Sequence, residues 1–240
     1  MEKSLLSNPL SSMRARSQEK ELIDLGSDFY SPDEYKDCLK KLFRINQFLG
    51  IFRSTRKLLS NYAKEASLLD IGCGGGLFLL NLSCYFPEMK MLGIDTNNDA
   101  IVAAQQALND WRKTSATQNL SFEAQHLDVT LSNNKFDIIL ATLLCHHLSD
   151  EELICFLHKA CRHANQVVII NDLHRHSLAY WFYALTSPLF RNRLITHDGL
   201  ISIKRGFTRS EWRSLLAKAN IPNYQIKWRW PFRWQITLWK

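Results

Sequence analysis

Three apolar runs in this chain each end in an acidic residue: Leu68-Leu69-Asp70, Leu92-Gly93-Ile94-Asp95 and, past Phe122, His126-Leu127-Asp128. The first is followed at once by the glycine-dense turn Gly72-Cys73-Gly74-Gly75-Gly76. Glycines in such a turn let a ligand approach the backbone and supply positive φ where the chain must bend sharply. A dinucleotide fingerprint, G-x-G-x-x-G, would set a pyrophosphate on the following helix, but Leu77 stands where its third glycine belongs. Asp70, two residues before the first glycine, suits a ligand that brings positive charge, such as an amino group or a sulfonium. Asp95 lies 23 residues beyond Gly72, near the spacing at which an α/β cofactor domain sets a carboxylate on both ribose hydroxyls.

The elements that position these residues follow from periodicity. Buried parallel strands are expected at residues 67–71, 89–95, 120–125, 135–142 and 166–172, with helices over 76–86, 99–111 and 151–163 between them. Helix starts are marked by Ser31-Pro32-Asp33-Glu34 and by the capping-box pair Thr208 and Glu211. A further helix is expected over residues 52–64. The tail alternates, with Tyr224, Ile226, Trp228 and Trp230 on one side and Phe232, Trp234, Ile236 and Leu238 after the Pro231 turn, which predicts a hairpin with one buried face. Strands alternating with helices, with each acid at a strand's carboxyl end, give a doubly wound sheet with one crevice. Residues 1–20 are expected to be mobile, 21–64 to form a helical cap, and 65–240 to form the main domain. Within it, the aromatic stretch 173–206 forms an insert over a substrate pocket.

The pattern D-x-G-x-G-x-G at Asp70–Gly76, with Asp95, Asp128 and the Phe136-Asp137-Ile138-Ile139 run, resembles class I S-adenosylmethionine (SAM)-dependent methyltransferases. The resemblance covers residues 60–172 by motif. It implies a Rossmann-like α/β fold, a doubly wound seven-stranded sheet with its last strand antiparallel, an N-terminal helical extension and a helical insert after strand five. It implies SAM as cofactor and S-adenosylhomocysteine (SAH) as product, held by Asp70, Gly72, Gly74, Gly76, Asp95, Thr96, Leu127, Asp128 and Ala141. Methyl transfer to an acceptor with an acidic hydrogen also needs a base. Of His146, His147, His174 and His176, near the ends of strands four and five, His174 and His146 are the expected bases. Enzymes that methylate DNA bases or glutamine carry Asn/Asp-Pro-Pro-Tyr/Phe after strand four. Ala141-Thr142-Leu143-Leu144 stands here, which counts against a DNA partner. The aromatic insert and the Asn46-Gln47-Phe48 and Asn171–His176 segments resemble methyltransferases of quinones, polyketides and phenolic lipids. The implied reaction is methylation, on oxygen or carbon, of a hydrophobic phenol, quinol or polyketide. Methylation of RNA or protein, and a non-catalytic SAM-binding module, are the alternatives.

Composition sets bounds. With 46% hydrophobic and 22% charged residues over 240 positions, the chain reads as an ordinary globular protein. No apolar run approaches the roughly 18–20 residues that span a bilayer, and the start Met1-Glu2-Lys3 lacks a secretory pattern. A cytoplasmic location is expected. The six cysteines are scattered with no C-x-x-C pair, so no metal site is predicted. The net charge of +7 concentrates in residues 202–240, where nine Lys and Arg face only Glu211. That region is the expected place of any peripheral membrane contact.

Overall fold

The computed structural model describes residues 13–113, 119–132 and 134–239. The chain begins with a 3-10 turn at Leu22–Leu25, then α1 (Pro32–Phe48) and α2 (Ile51–Leu59). The sheet domain follows as β1 (Ser67–Ile71), α3 (Leu77–Tyr85), β2 (Lys90–Asp95), α4 (Asn98–Arg112), β3 (Leu120–Ala124), α5 (Leu127–Leu131) and β4 (Phe136–Thr142). After a 3-10 turn at Cys145–His147 come α6 (Asp150–His163), β5 (Ala164–Leu173), α7 (Ser177–Thr186), α8 (Arg193–Arg205), α9 (Arg209–Lys218), β6 (Tyr224–Arg229) and β7 (Arg233–Trp239).

The seven strands lie in the order β3-β2-β1-β4-β5-β7-β6, with β7 antiparallel to both neighbours. The order reverses between β1 and β4, which opens the ligand crevice at their carboxyl ends. The central strands are buried on both sides and read as nearly continuous apolar runs. One face packs Leu69, Ile139, Val168 and Ile236 against Phe156 and Trp212 of α6 and α9. The other packs Leu68, Ile138 and Ile169 against Leu79, Ile101 and Leu108 of α3 and α4. Side-chain oxygens satisfy the free amides at helix starts: Ser31 for α1, Asn97 for α4, and full capping boxes at Ser149/Glu152 and Thr208/Glu211. A third apolar cluster joins Tyr30, Tyr35, Cys38 and Leu42 of the N-terminal extension to Leu194, Ile195, Tyr183 and Phe190 of the insert. These two segments therefore form one cap over the crevice.

Several local expectations change. The helix expected over 52–64 spans Ile51–Leu59. Among the residues expected to be mobile, 1–12 lie outside the described residues, whereas 13–20 are tied down. Arg16 donates to the Leu148 carbonyl at 2.8 Å and the Arg205 carbonyl at 3.1 Å, pairs with Asp150 at 2.7 Å, and lies over the Phe207 ring. The hairpin does not have a single buried face: β7 sits inside the sheet, so Gln235 and Thr237 are buried beside Trp234 and Ile236. The buried Gln235 amide is satisfied by the Asn171 Oδ1 and the Arg229 guanidinium.

The cap is packed without slack at Gly199 of α8, where an added Cβ would lie 2.2 Å from the Tyr183 hydroxyl and 2.3 Å from its ring. Gly199→Ala is therefore expected to destabilise the protein by about 1–3 kcal/mol, the usual cost of overpacking, measured as a lower urea midpoint with an unchanged m-value.

Candidate active site

The glycine loop is fixed to the end of β2. The N–H groups of Gly72 and Cys73 both donate to the Ile94 carbonyl, at 2.9 and 3.0 Å. Gly72, Gly74 and Gly76 have φ of +71°, +53° and +70°, a region that side chains with a Cβ rarely adopt. Their surroundings differ. Gly74 meets nothing closer than Leu39 at 4.0 Å and lines a cavity, whereas an added Cβ at Gly76 would strike Phe122 at 2.6 Å and Ala104 at 2.8 Å. Gly76 thus lets the loop seat on the sheet and is not on the cavity wall.

Asp95 is held by backbone amides, its two oxygens accepting from Gly74 N–H and Asn97 N–H, each at 2.9 Å. It lines the cavity with Thr96 and Asn97. Asp70 lies off the cavity wall and is buried, and its Oδ1 has no partner. Burial, followed by the charge of Asp95, pushes its pKa up to about 8. A carboxyl under these constraints fits a cationic group brought close to the loop. The residues of this region therefore fit SAM: an open cradle at Gly74, a carboxylate at Asp95 and an unpartnered acid beneath the loop.

On the expected adenine side, Leu127 and Asp128 line the cavity from the first turn of α5, with Gln125 and His126. Asp128 is not at a strand end: it stands on the rim and pairs with Lys159 at 2.5 Å. Ala141 is buried in the core face of β4, and Leu143 and Leu144 take its place on the wall.

The cavity has a volume of about 1470 Å³ and runs between the glycine loop and the cap. Its walls are largely apolar, with Leu39, Leu42, Phe182 and Phe190 from the cap. A polar cluster built from two distant segments also stands in the wall. His146, in the turn after β4, is buried and shares a 2.7 Å hydrogen bond between Nδ1 and Asp172 Oδ1, while its backbone N–H donates to Asp172 Oδ2 at 3.1 Å. Burial alone would raise the Asp172 pKa, yet His146 and the Leu173 N–H hold it below its ordinary value. The His147 ring lies 4.2 Å from that of His146, and its Nδ1 meets Asp24 at 2.9 Å. Burial would lower the His147 pKa, but Asp24 and Glu21 raise it. Glu21 completes the cluster, its Oε1 and Oε2 lying 3.6 Å from His146 Nε2 and 3.9 Å from His147 Nε2.

This arrangement has identifiable supports. The N–H groups of Leu22 and Ile23 donate to the two oxygens of buried Asp198, which fixes the turn bearing Glu21 and Asp24. Arg205 donates to the carbonyls of His146 and His147, at 2.9 and 2.7 Å, and to Asp24 at 3.0 Å. Glu21, Asp24, Asp172 and Arg205 were not among the residues expected here. The one sequence signal for the first two is polarity at spacing three around the apolar pair Leu22-Ile23.

His174 is set apart from the other expected base, His146. It does not line the cavity, and its Nδ1 already accepts from the Trp228 indole N–H at 3.2 Å. Burial, with the nearby charges of His176 and Arg175, drives its pKa down to about 4. His176 caps α7, accepting from the Leu178 N–H.

Residues 69–166 match a family model described as a methyltransferase domain. The chain is 34% identical over 84 residues to an uncharacterised protein of Rickettsia prowazekii, a match covering 35% of this chain and 30% of that protein. It is 27% identical over 96 residues to an uncharacterised methyltransferase of Schizosaccharomyces pombe, covering 39% and 34%. The matched segment thus spans about a third of the length of these relatives. The fold is similar to that of human N-acetylserotonin methyltransferase solved with SAM, with a TM-score of 0.66, 15% identity, 98% of this chain covered and 65% of that one. Residues 69–166 are thus similar to a methyltransferase domain, and the sheet that contains them has the fold of the solved methyltransferase just described.

The Asp70 environment predicts a pH effect. Its folded pKa is above the ordinary value of 3.8, so the folded state keeps a proton that the unfolded chain loses, and stability falls as pH rises from about 4 to 8. Asp70→Asn removes this penalty. Urea unfolding of the ligand-free protein should show the variant gaining on the order of 1–3 kcal/mol at pH 8 and little at pH 4.

Proposed function

We propose that this chain is a SAM-dependent methyltransferase that methylates the hydroxyl of a hydrophobic small molecule. One observation carries the reading: the wall of a single, mostly apolar cavity bears both the Gly72, Gly74, Asp95 and Asn97 cradle and the Glu21, His146 and His147 cluster. SAM, when bound, supplies a methyl group on an electrophilic sulfonium. The chain's own part is to hold, orient and exclude water. On this reading Asp95 takes the ribose hydroxyls on the acceptor sites left beside the Gly74 and Asn97 amides. Leu127, Leu143 and Leu144 pack against the cofactor, with Asp128 at the rim for the adenine amine and Asp70 beneath for the cationic portion. The acceptor's apolar body rests on Leu42, Phe182 and Phe190. Its hydroxyl is presented to the polar cluster, with His146 the catalytic residue in place of His174. The fold neighbour named for N-acetylserotonin is consistent with a small-molecule acceptor.

Titration calorimetry with SAH and a methyl-transfer assay with labelled SAM test this. Wild type should bind SAH, and Asp95→Ala should weaken binding at least about tenfold, on the order of 1.4 kcal/mol or more. His146→Ala should retain SAH binding and lose transfer to phenolic acceptors. Transfer confined to tRNA or protein would contradict the reading.

A membrane contact fits this chain at a different place from the one its charge suggested. Arg205 and Arg229 of the basic C-terminal region are engaged within the fold, and Arg233 donates to the Phe232 carbonyl. By contrast, α7 turns Leu178, Trp181, Phe182 and Leu185 to solvent at helical spacing, continued by Leu189, and the last two leucines are each 80% exposed. Phe48 and Trp230, both exposed, line the same cavity as Phe182 of this stripe, and Arg191 and Arg193 follow it in sequence. An apolar stripe flanked by cations matches an interfacial helix. The protein is expected to sediment with anionic-lipid vesicles, and Trp181→Ser with Leu185→Ser should cut that binding severalfold without changing SAH affinity. Equal sedimentation of the double variant would remove the membrane contact from the proposal.

A further inference from the structure

We infer that Glu21, His146 and His147 form a binding site for one transition-metal dication of the zinc or iron(II) class. The inference deepens the methyltransferase reading and rests on it for the ion's role, though not for the site itself. The Nδ1 atoms of both histidines are engaged by carboxylates, His146 by Asp172 at 2.7 Å and His147 by Asp24 at 2.9 Å. A neutral imidazole that donates from Nδ1 carries a lone pair on Nε2. Both Nε2 atoms face the Glu21 carboxylate, at 3.6 and 3.9 Å, too far for a hydrogen bond in either case. Both Nε2 edges and the carboxylate are thus turned toward one point, as three donors around an ion are. The three ligand atoms fall within 4.8 Å of one another. A tetrahedral ion with ligands at about 2.1 Å sets neighbouring donor atoms about 3.4 Å apart, so the three donors close on an ion by drawing together by up to about 1.4 Å.

The surrounding shell is the one metal sites need. Carboxylates behind ligating histidines fix the tautomer and raise the basicity of the free nitrogen. Ser202 Oγ donates to Glu21 Oε1 at 2.8 Å and steadies that ligand. Three carboxylates, Glu21, Asp24 and Asp172, surround the cluster, opposed at close range by Arg205 on Asp24. More remotely, Arg16 and Arg233 act on Asp172. Two imidazoles and one carboxylate select zinc- or iron-class ions over magnesium. Three protein ligands on a cavity wall leave a further position open. That position takes the acceptor's hydroxyl oxygen. Coordination makes the hydroxyl more acidic, its proton leaves to water, and the oxygen lone pair forms the O–CH₃ bond as the S–CH₃ bond breaks, leaving the neutral thioether of SAH. His146 then acts as a ligand, and the proton does not reside on it.

The test uses the full chain freed of metal with a chelator. Cobalt(II) is titrated and followed by visible absorption, and Zn²⁺ is then added in competition. The expected result is one Co²⁺ per chain with the absorption bands of a low-coordinate histidine site, displaced by Zn²⁺. Glu21→Gln and His147→Gln should each weaken cobalt binding about tenfold or more, with circular dichroism unchanged, whereas His174→Gln, outside the cluster, should bind as wild type does. No cobalt signal, or equal binding by wild type and both cluster variants, would overturn the site. SAH calorimetry on the same samples keeps the two readings apart: SAH binding without cobalt binding overturns the metal site alone, and cobalt binding without SAH binding overturns the cofactor.

Discussion

The cap and the site depend on one guanidinium. Arg205, at the end of α8, is buried and directs its donors to the carbonyls of Glu19, His146 and His147 and to the Asp24 carboxylate. A buried cation left unpaired would cost several kcal/mol, so each of these acceptors must be present for α8 to pack as it does. In satisfying itself, Arg205 brings together the N-terminal segment, the turn after β4 and the insert, which are far apart in sequence. Arg16 repeats the arrangement one layer out, bonding to the Arg205 and Leu148 carbonyls and lying over Phe207. The histidines are thus held through their backbone carbonyls by arginine and through their Nδ1 atoms by carboxylates, which leaves the Nε2 edges as the part free to act.

Two carboxyls beside the glycine loop are tuned in opposite ways by their surroundings. Asp95 has a backbone amide on each oxygen and reaches the cavity. Asp70 is enclosed, lacks a partner on Oδ1 and is driven toward its neutral form. On the proposed reading the first receives hydroxyl groups, and the second is a buried acid whose ionised form a nearby positive charge favours.

The fold was largely legible in the sequence because a parallel sheet needs buried strands and a crevice needs glycines, and both leave local patterns. Residues 67–71 and 135–142 read as interior strands, and the capping pair Thr208 and Glu211 marked a helix start directly. The candidate site was legible where chemistry and backbone coincide within one βαβ unit, at Gly72, Gly74 and Asp95, which line the cavity. It was illegible where the partners are tertiary. Glu21 and Asp24 sit in an unremarkable polar stretch, and nothing local says that Asp198 will hold their turn in place or that His147 will find Asp24 at 2.9 Å. His174 misled because strand register decides which way its ring points, and a one-residue change of parity moves a side chain from crevice to surface. The alternation of the tail was read correctly as a hairpin but with one buried face, because periodicity cannot reveal that another strand will lie on its far side.

That last feature bears on how the protein reaches its native state. β7, the last of the seven strands in sequence, occupies an interior position between β5 and β6. During synthesis the outer edge of β5, with its Val167–Ile170 run, is made long before the strand that covers it. A hydrophobic edge with unpaired amides invites pairing with other chains, and non-local closure of this kind is slow. The β5–β7 seam therefore cannot close until the hairpin of β6 and β7 docks.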